Sequence, residues 1–438
     1  MGAVQMYLFS SLSRRQKEAV GLLQIGTVLE YFDLMLYVHM AVLLNELFFP
    51  KTDPFTASLL QAFAFCSTFL FRPFGALLFG YIGDRFGRKH TVILTSLLMA
   101  VSCVIMATIP TYAEIGVAAT LGVTLCRMIQ GISSLGELVT AEIYLTEISK
   151  PPVRYPLVAW IAVSSTVGGM LALAAATLVT TYTANWRVVF WLGVSIALFG
   201  SVARTRMRET PEFMEAKKRQ NQSQHVEKIN KKSGLSLFLI FCAWPPCIYF
   251  VYVYAANVMQ NVLGYTAEQV IQHNFWASVA AVIGNIVFAQ LSYRIYPLKI
   301  VKFSLAIFFP FMLLMPFLLD NVTSGMQVLA IQIIVLVFGP GGTPGDAIFY
   351  RQFPVLKRIF SVSFAYALAR ALMYVVMSFG MVYLTQGMGH FGLVVVMLPT
   401  TIIYTWAVLY FERLDKTSPE IFDDVDPEEN NTFSAKAA

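Results

Sequence analysis

The chain has 438 residues, of which 57% are hydrophobic and only 13% are charged. A soluble domain carries about 25% charged residues, so a surface this poor in charge faces lipid, and neither a soluble protein nor a soluble enzyme is expected. The net charge of +6 does not indicate nucleic acid, because the basic residues cluster in short loops between apolar blocks, as membrane topology requires.

The apolar residues come in blocks long enough for a helix to cross about 30 Å of hydrocarbon. They do not alternate with polar residues, which excludes a transmembrane barrel. In chain order the blocks predict helices at 20–46, 57–82, 91–110, 113–146, 155–180, 188–203, 236–261, 269–292, 299–319, 324–348, 360–385 and 390–411. The fourth block is long for one span, so its last turns are expected to leave the membrane. The first block follows Arg14, Arg15 and Lys17 and is too long for a signal-peptide core. Cys66, Cys103, Cys126, Cys242 and Cys247 all lie inside apolar blocks, without metal or redox spacing, and read as small buried hydrophobes.

Placing the N-terminus and every second loop in the cytoplasm puts 26 of the 31 lysines and arginines on that side. An odd number of spans would scramble this asymmetry, so it predicts twelve spans with both termini cytoplasmic. The basic segment 204–235 reads as a cytoplasmic linker between two six-helix bundles, 1–203 and 236–412. The acidic stretch 413–438 reads as a cytoplasmic tail.

Between the second and third blocks stands Gly80-Tyr-Ile-Gly-Asp84-Arg85-Phe-Gly87-Arg88-Lys89. It resembles the signature loop of the major facilitator superfamily: glycines allow a tight turn, Asp84 accepts from basic groups, and Arg85, Arg88 and Lys89 hold the loop in the cytoplasm. Leu29-Glu30-Tyr31-Phe32-Asp33, Phe71-Arg72-Pro73-Phe74-Gly75, Arg127-Met-Ile-Gln130-Gly131, Gly136-Glu137, Asn185-Trp186-Arg187 and Arg208-Glu209-Thr210-Pro211 are similar to its metabolite–proton symporters, which carry proline or betaine, oxoglutarate, citrate and shikimate. The resemblance is dense over 25–215 and thin afterwards. It implies the all-α major facilitator fold, alternating access between two bundles, transport driven by the proton gradient without a cofactor, and a bacterial inner-membrane location. The second-half loop departs from the pattern, with Tyr293 and Tyr296 where an acid and a glycine are usual.

Ionisable groups inside a bilayer are costly, so those within the blocks are functional candidates. Glu30, Asp33 and Tyr37 fall on one helical face. Two carboxylates so close disfavour double ionisation, and a proton-coupling role is expected for Glu30, Asp33 and Glu137, the last by family analogy. Arg127 and Gln130 share a stripe on the fourth helix, and Arg127 is a permanent cation able to pair with a carboxylate. Arg127, Gln130, Tyr37 and, from the second half, Arg370 are the expected substrate ligands. Tyr249, Tyr252 and Asn257 join them from the aromatic seventh helix. Arg72 reads equally as a packing anchor, and Glu142 as the cytoplasmic end of its helix. Gly339–Asp346 breaks the tenth helix; it lacks the ending of a nucleotide-binding loop and reads as a hinge or gate.

These features predict proton-coupled uptake of a small carboxylate-bearing metabolite, either an organic acid or a zwitterion such as proline or betaine. The expected partners are the substrate, protons and the lipid bilayer, with no nucleic acid, no metal and a monomeric chain. The alternatives are an exporter and a non-transporting sensor built on a transporter scaffold. No nucleophile–base constellation suggests an enzyme.

Overall fold

A computed structural model describes residues 14–50, 54–86, 88–133, 137–182, 185–204, 229–341 and 343–417. Among these residues the helices trace twelve spans and no strand is present. The spans are α1 (Arg14–Phe48), α2 (Pro54–Leu70 continued by Arg72–Phe86), α3 (Arg88–Thr108), α4 (Val117–Ser133 continued by Glu137–Ile148), α5 (Arg154–Tyr182) and α6 (Arg187–Arg204). After the linker follow α7 (Lys231–Asn261), α8 (Ala267–Leu291), α9 (Pro297–Asp320), α10 (Gly325–Phe338 and Asp346–Arg351), α11 (Val355–Met388) and α12 (Phe391–Thr417). Seven of them are long and apolar enough to cross a membrane outright. Others are interrupted, and α10 is broken at Gly339–Gly345, where the sequence predicts a break. The second bundle begins at Lys231 and α12 runs on to Thr417, both beyond the predicted limits.

Local signals set the ends. Thr266 closes a capping box with Gln269 at the start of α8, and Asn230 accepts from the Lys232 amide ahead of α7. Pro297 opens α9, where its missing N–H costs nothing. Within α7, Pro245 and Pro246 precede a π-helical turn at Phe250–Tyr254, since proline cannot donate to the helical ladder.

In the first half α1 packs on α5 and α6, α3 on α6, and α4 on α2 and α3. In the second half α7 packs on α11 and α12, α8 on α10, and α9 on α12. The halves meet along a seam where α5 lies on α8, α2 on α11, and the later part of α4 on α10 and α11. The Gln16 amide donates to the Ile148 carbonyl and Tyr296 donates to Asp415. Arg154, whose Nε donates to the Ser149 carbonyl after α4, acts electrostatically on Asp415, so the start of α1, the end of α4 and the end of α12 lie at one end of the bundle, called here the terminal end.

Candidate functional site

The seam encloses a cavity of about 200 Å³. The first half contributes Tyr31 of α1, Phe69 and Arg72 of α2, Glu142 of α4, and Ser165 and Thr166 of α5. The second half contributes Trp244 and Tyr252 of α7, Ser278 and Asn285 of α8, Asp346 and Tyr350 of α10, Tyr366, Arg370 and Tyr374 of α11, and Tyr404 of α12. Several polar contacts cross the seam. Asn285 donates to Thr166 Oγ1 at 2.9 Å, the hydroxyls of Tyr31 and Tyr366 lie 3.4 Å apart, and Phe69 stacks on Tyr374 with ring centroids 3.8 Å apart. Toward the terminal end Arg358 pairs with Glu147 at 3.1 Å. Toward the opposite end Ile271 and Phe275 of α8 pack into the apolar core of the first half.

Two arginines face this cavity, one from each half. Arg72 is 4% exposed; its guanidinium lies 4.9 Å over the Phe69 ring, and its Nε has no hydrogen-bond partner among the described residues. Arg370 lies 4.8 Å from the Tyr366 ring and donates from Nη1 to the Tyr374 hydroxyl at 3.4 Å, while its Nε is likewise unpartnered. No carboxylate forms an ion pair with either among the described residues. A buried arginine satisfied by rings and a tyrosine alone retains most of its capacity for an anion. Arg72 lies over Phe69 and Arg370 beside Tyr374, the two rings that stack on each other across the seam.

Glu142 and Asp346 form a second polar group in the cavity wall, 3% and 6% exposed. Tyr350 donates to Glu142 Oε2 at 2.7 Å across the seam, and Thr343 donates to Asp346 Oδ2 at 3.3 Å. Asp346 also approaches Tyr350 and acts electrostatically on Glu142, and Arg370 acts on both carboxylates. The break in α10 makes this possible. It ends the first segment at Phe338 and re-enters as a short helix with Asp346 in its first turn, where an acid suits the helix N-terminus. Tyr404 donates to the freed carbonyl of Gly341, and Trp244 packs beneath that residue.

The expected site residues divide. Arg370 and Tyr252 line the cavity, and Tyr252 is held by Ser278 at 2.8 Å. Arg127, Gln130, Tyr37 and Asp33 do not. They form a closed cluster inside the first half, where Arg127 is fully buried over the Tyr37 ring at 3.9 Å and donates to Gln130 Oε1 at 2.7 Å. Gln130 approaches Cys103, beside which Asp33 sits against Gly193. The predicted α1 stripe faces this interior, while Tyr31, beside Glu30, reaches the cavity. Glu30 is half-buried and does not line it. Against expectation, Tyr249 packs in the second-half core and Asn257 is exposed, and neither lines the cavity. Of the expected gating motif and Glu137, Gly87 lies outside the described residues, and for Gly80, Asp84, Arg85, Arg88 and Glu137 only the helical backbone is described, so the cavity neither includes nor excludes their side chains. Sequence reasoning set aside Arg72 and Glu142 and passed over Asp346, Tyr31 and Tyr350. The one available signal was an acid inside a Gly/Pro-broken span, the usual mark of a transporter site.

Two six-helix halves closing on a polar cavity at their seam define the major facilitator fold. The family model described as sugar (and other) transporter matches residues 23–239. The Proline/betaine transporter of Salmonella typhimurium is 31% identical over 222 residues, covering 49% of this chain and 43% of that protein. The Inner membrane metabolite transport protein YhjE of Escherichia coli is 27% identical over 399 residues, covering 83% and 86%. The chain thus spans less than half the length of the proline/betaine relative and most of YhjE. Among solved structures, the proton:xylose symporter XylE bound to 6-bromo-6-deoxy-D-glucose superposes with a TM-score of 0.72 at 16% identity, covering 93% of this chain and 96% of that one. XylE from E. coli in a partially occluded inward-open conformation gives 0.67 at 17% identity, over 93% and 98%. The chain has the major facilitator fold, and its first half is similar in sequence to the transporters of that family model; seven of its helices are long and apolar enough to cross a membrane.

Proposed function

We propose that the protein is a secondary active transporter that takes up a small carboxylate-bearing metabolite together with protons. It works by alternating access of the seam cavity, as a monomer in the bacterial inner membrane with both termini cytoplasmic. The proton gradient drives it, and no cofactor takes part. The observation that carries this reading is the pair of arginines Arg72 and Arg370, neither joined to a carboxylate by an ion pair among the described residues, set in opposite halves around one cavity. A carboxylate bound between them contacts both halves at once, which lets occupancy bias their relative position. The proline/betaine carriers and YhjE among its relatives, and the proton symporter among its structural neighbours, support the same class. The substrate is either an organic acid or a zwitterion of the proline or betaine kind. The aromatic wall of Tyr31, Trp244, Tyr366 and Tyr374 accommodates the apolar body of either.

Binding tests the assignment without requiring flux. The purified protein in detergent is titrated with 2-oxoglutarate, citrate, proline and glycine betaine by calorimetry. One class binds, and Arg72→Gln and Arg370→Gln each weaken it by about 10- to 100-fold, the loss of a charge-assisted pair worth roughly 1.5–3 kcal/mol. Affinity unchanged in both variants contradicts the clamp.

A further inference from the structure

We propose that Glu142 and Asp346, joined across the seam by Tyr350, hold the coupling proton, and that its departure opens the terminal end of the bundle. The inference rests on the transporter reading above and extends it by assigning the proton to a site other than the α1 carboxylates.

Glu142 belongs to the first half and Asp346 to the second, and both are buried in the cavity wall on either side of the Tyr350 hydroxyl. The charged and titratable groups that face them are Tyr350 of α10, Arg370 and Tyr366 of α11, Tyr404 of α12 and, across the cavity, Tyr31 of α1 and Arg72 of α2. From α5 come only the neutral Ser165 and Thr166. Arg370 is thus the cation that acts on the pair, and it is also half of the proposed substrate clamp. Arg72, buried and with an unpartnered Nε in the same cavity, marks where the anionic ligand is still to come.

The consequences follow by charge counting. With substrate on Arg370, two ionised carboxylates facing each other across a buried seam repel strongly, because little water screens them. A single proton on either oxygen set removes the repulsion and leaves the Tyr350 bridge intact, so the halves stay closed at the terminal end. Once that proton passes to water there, the like charges separate the halves and substrate is released. Arg370, freed of substrate, then offsets one of the two charges, which weakens the repulsion enough for the empty halves to reclose part of the time, so a pH-dependent opening remains without substrate. Only O–H bonds form and break, and no electron is transferred. Asp33, by contrast, is enclosed within the first half against Gly193, so its titration changes no charge on the seam.

The test reads the seam directly, in the full-length protein in lipid nanodiscs and without substrate. Spin labels are placed at Lys150→Cys and Arg413→Cys, exposed positions of opposite halves at the terminal end. The closed form binds the extra proton, so the ratio of long to short distances rises with pH, by up to about tenfold per pH unit for one linked proton. Glu142→Gln and Asp346→Asn abolish this rise, and Glu30→Gln and Asp33→Asn retain it. No pH response in the otherwise unaltered protein overturns the proposal. So does a response that survives in Asp346→Asn, the variant to rely on should Glu142→Gln fail to fold, or one lost only in Asp33→Asn. Because the distances are read without substrate, failure of the pair and failure of the transporter reading are separate results.

Discussion

At the scale of single residues, buried polar atoms locate the site. Arg72 and Arg370 stand out by what they lack. Gln332 shows the opposite, a fully satisfied side chain: fully buried, its Oε1 accepts from His273 Nε2 at 2.8 Å and its Nε2 donates to the Val251 carbonyl at 2.8 Å and to Asn274 at 3.2 Å. Val251 lies in the π turn of α7, whose altered ladder leaves that carbonyl available. Gln332→Leu strands three partners in a low-dielectric setting. It is expected to cost about 2–4 kcal/mol, read as a lowered midpoint of thermal unfolding in detergent; an unchanged midpoint contradicts this role. Tyr404→Phe removes only the bond to Gly341, and a loss of about 1 kcal/mol is expected by the same measurement.

At the scale of elements, close helix approach depends on glycine. A Cβ on Gly131 would overlap the Thr68 carbonyl where α4 crosses α2, and one on Gly168 would overlap the Val28 carbonyl where α5 crosses α1. Membrane helices gain no hydrophobic drive from one another and rely on such contacts. Gly131→Ala and Gly168→Ala are therefore expected to sharply reduce the folded yield in membranes, while Gly21→Ala, with open space around its Cβ position, leaves it unchanged. The elements themselves were legible in the sequence, because span length and the placement of arginine and lysine are set by the bilayer. The break in α10 was legible from its glycines and prolines. Which face each helix turns to the seam was not. The spans are apolar nearly all round, so no polar stripe separates the cavity face from the lipid face. Glu30, Asp33 and Tyr37 accordingly share a face, yet Asp33 and Tyr37 look into the first bundle, and the neighbouring Tyr31 reaches the cavity. In α7, likewise, spacing alone did not reveal that Tyr252 faces the cavity while Tyr249 packs into the second-half core and Asn257 is exposed; Asn257 lies beyond the π turn, which changes the helical register.

At the scale of the whole molecule, the seam has two chemically different ends. Toward the terminal end its contacts are polar, with Glu147–Arg358 and Glu142–Tyr350; toward the other end Ile271 and Phe275 pack into apolar surface. Arg358→Gln removes one partner of a buried pair and is expected to move the Lys150→Cys/Arg413→Cys distances toward the long population at every pH. The exchange Glu147→Arg with Arg358→Glu is expected to restore the short one. The central claim, that proton movement through this seam drives uptake of a carboxylate-bearing metabolite, is tested most directly by flux. Proteoliposomes carrying the protein are given an inward proton gradient and offered labelled 2-oxoglutarate, citrate, proline and glycine betaine. The account predicts accumulation of one of these, abolished by a protonophore and by Arg370→Gln. Saturable binding with no accumulation, with or without the gradient, would contradict it.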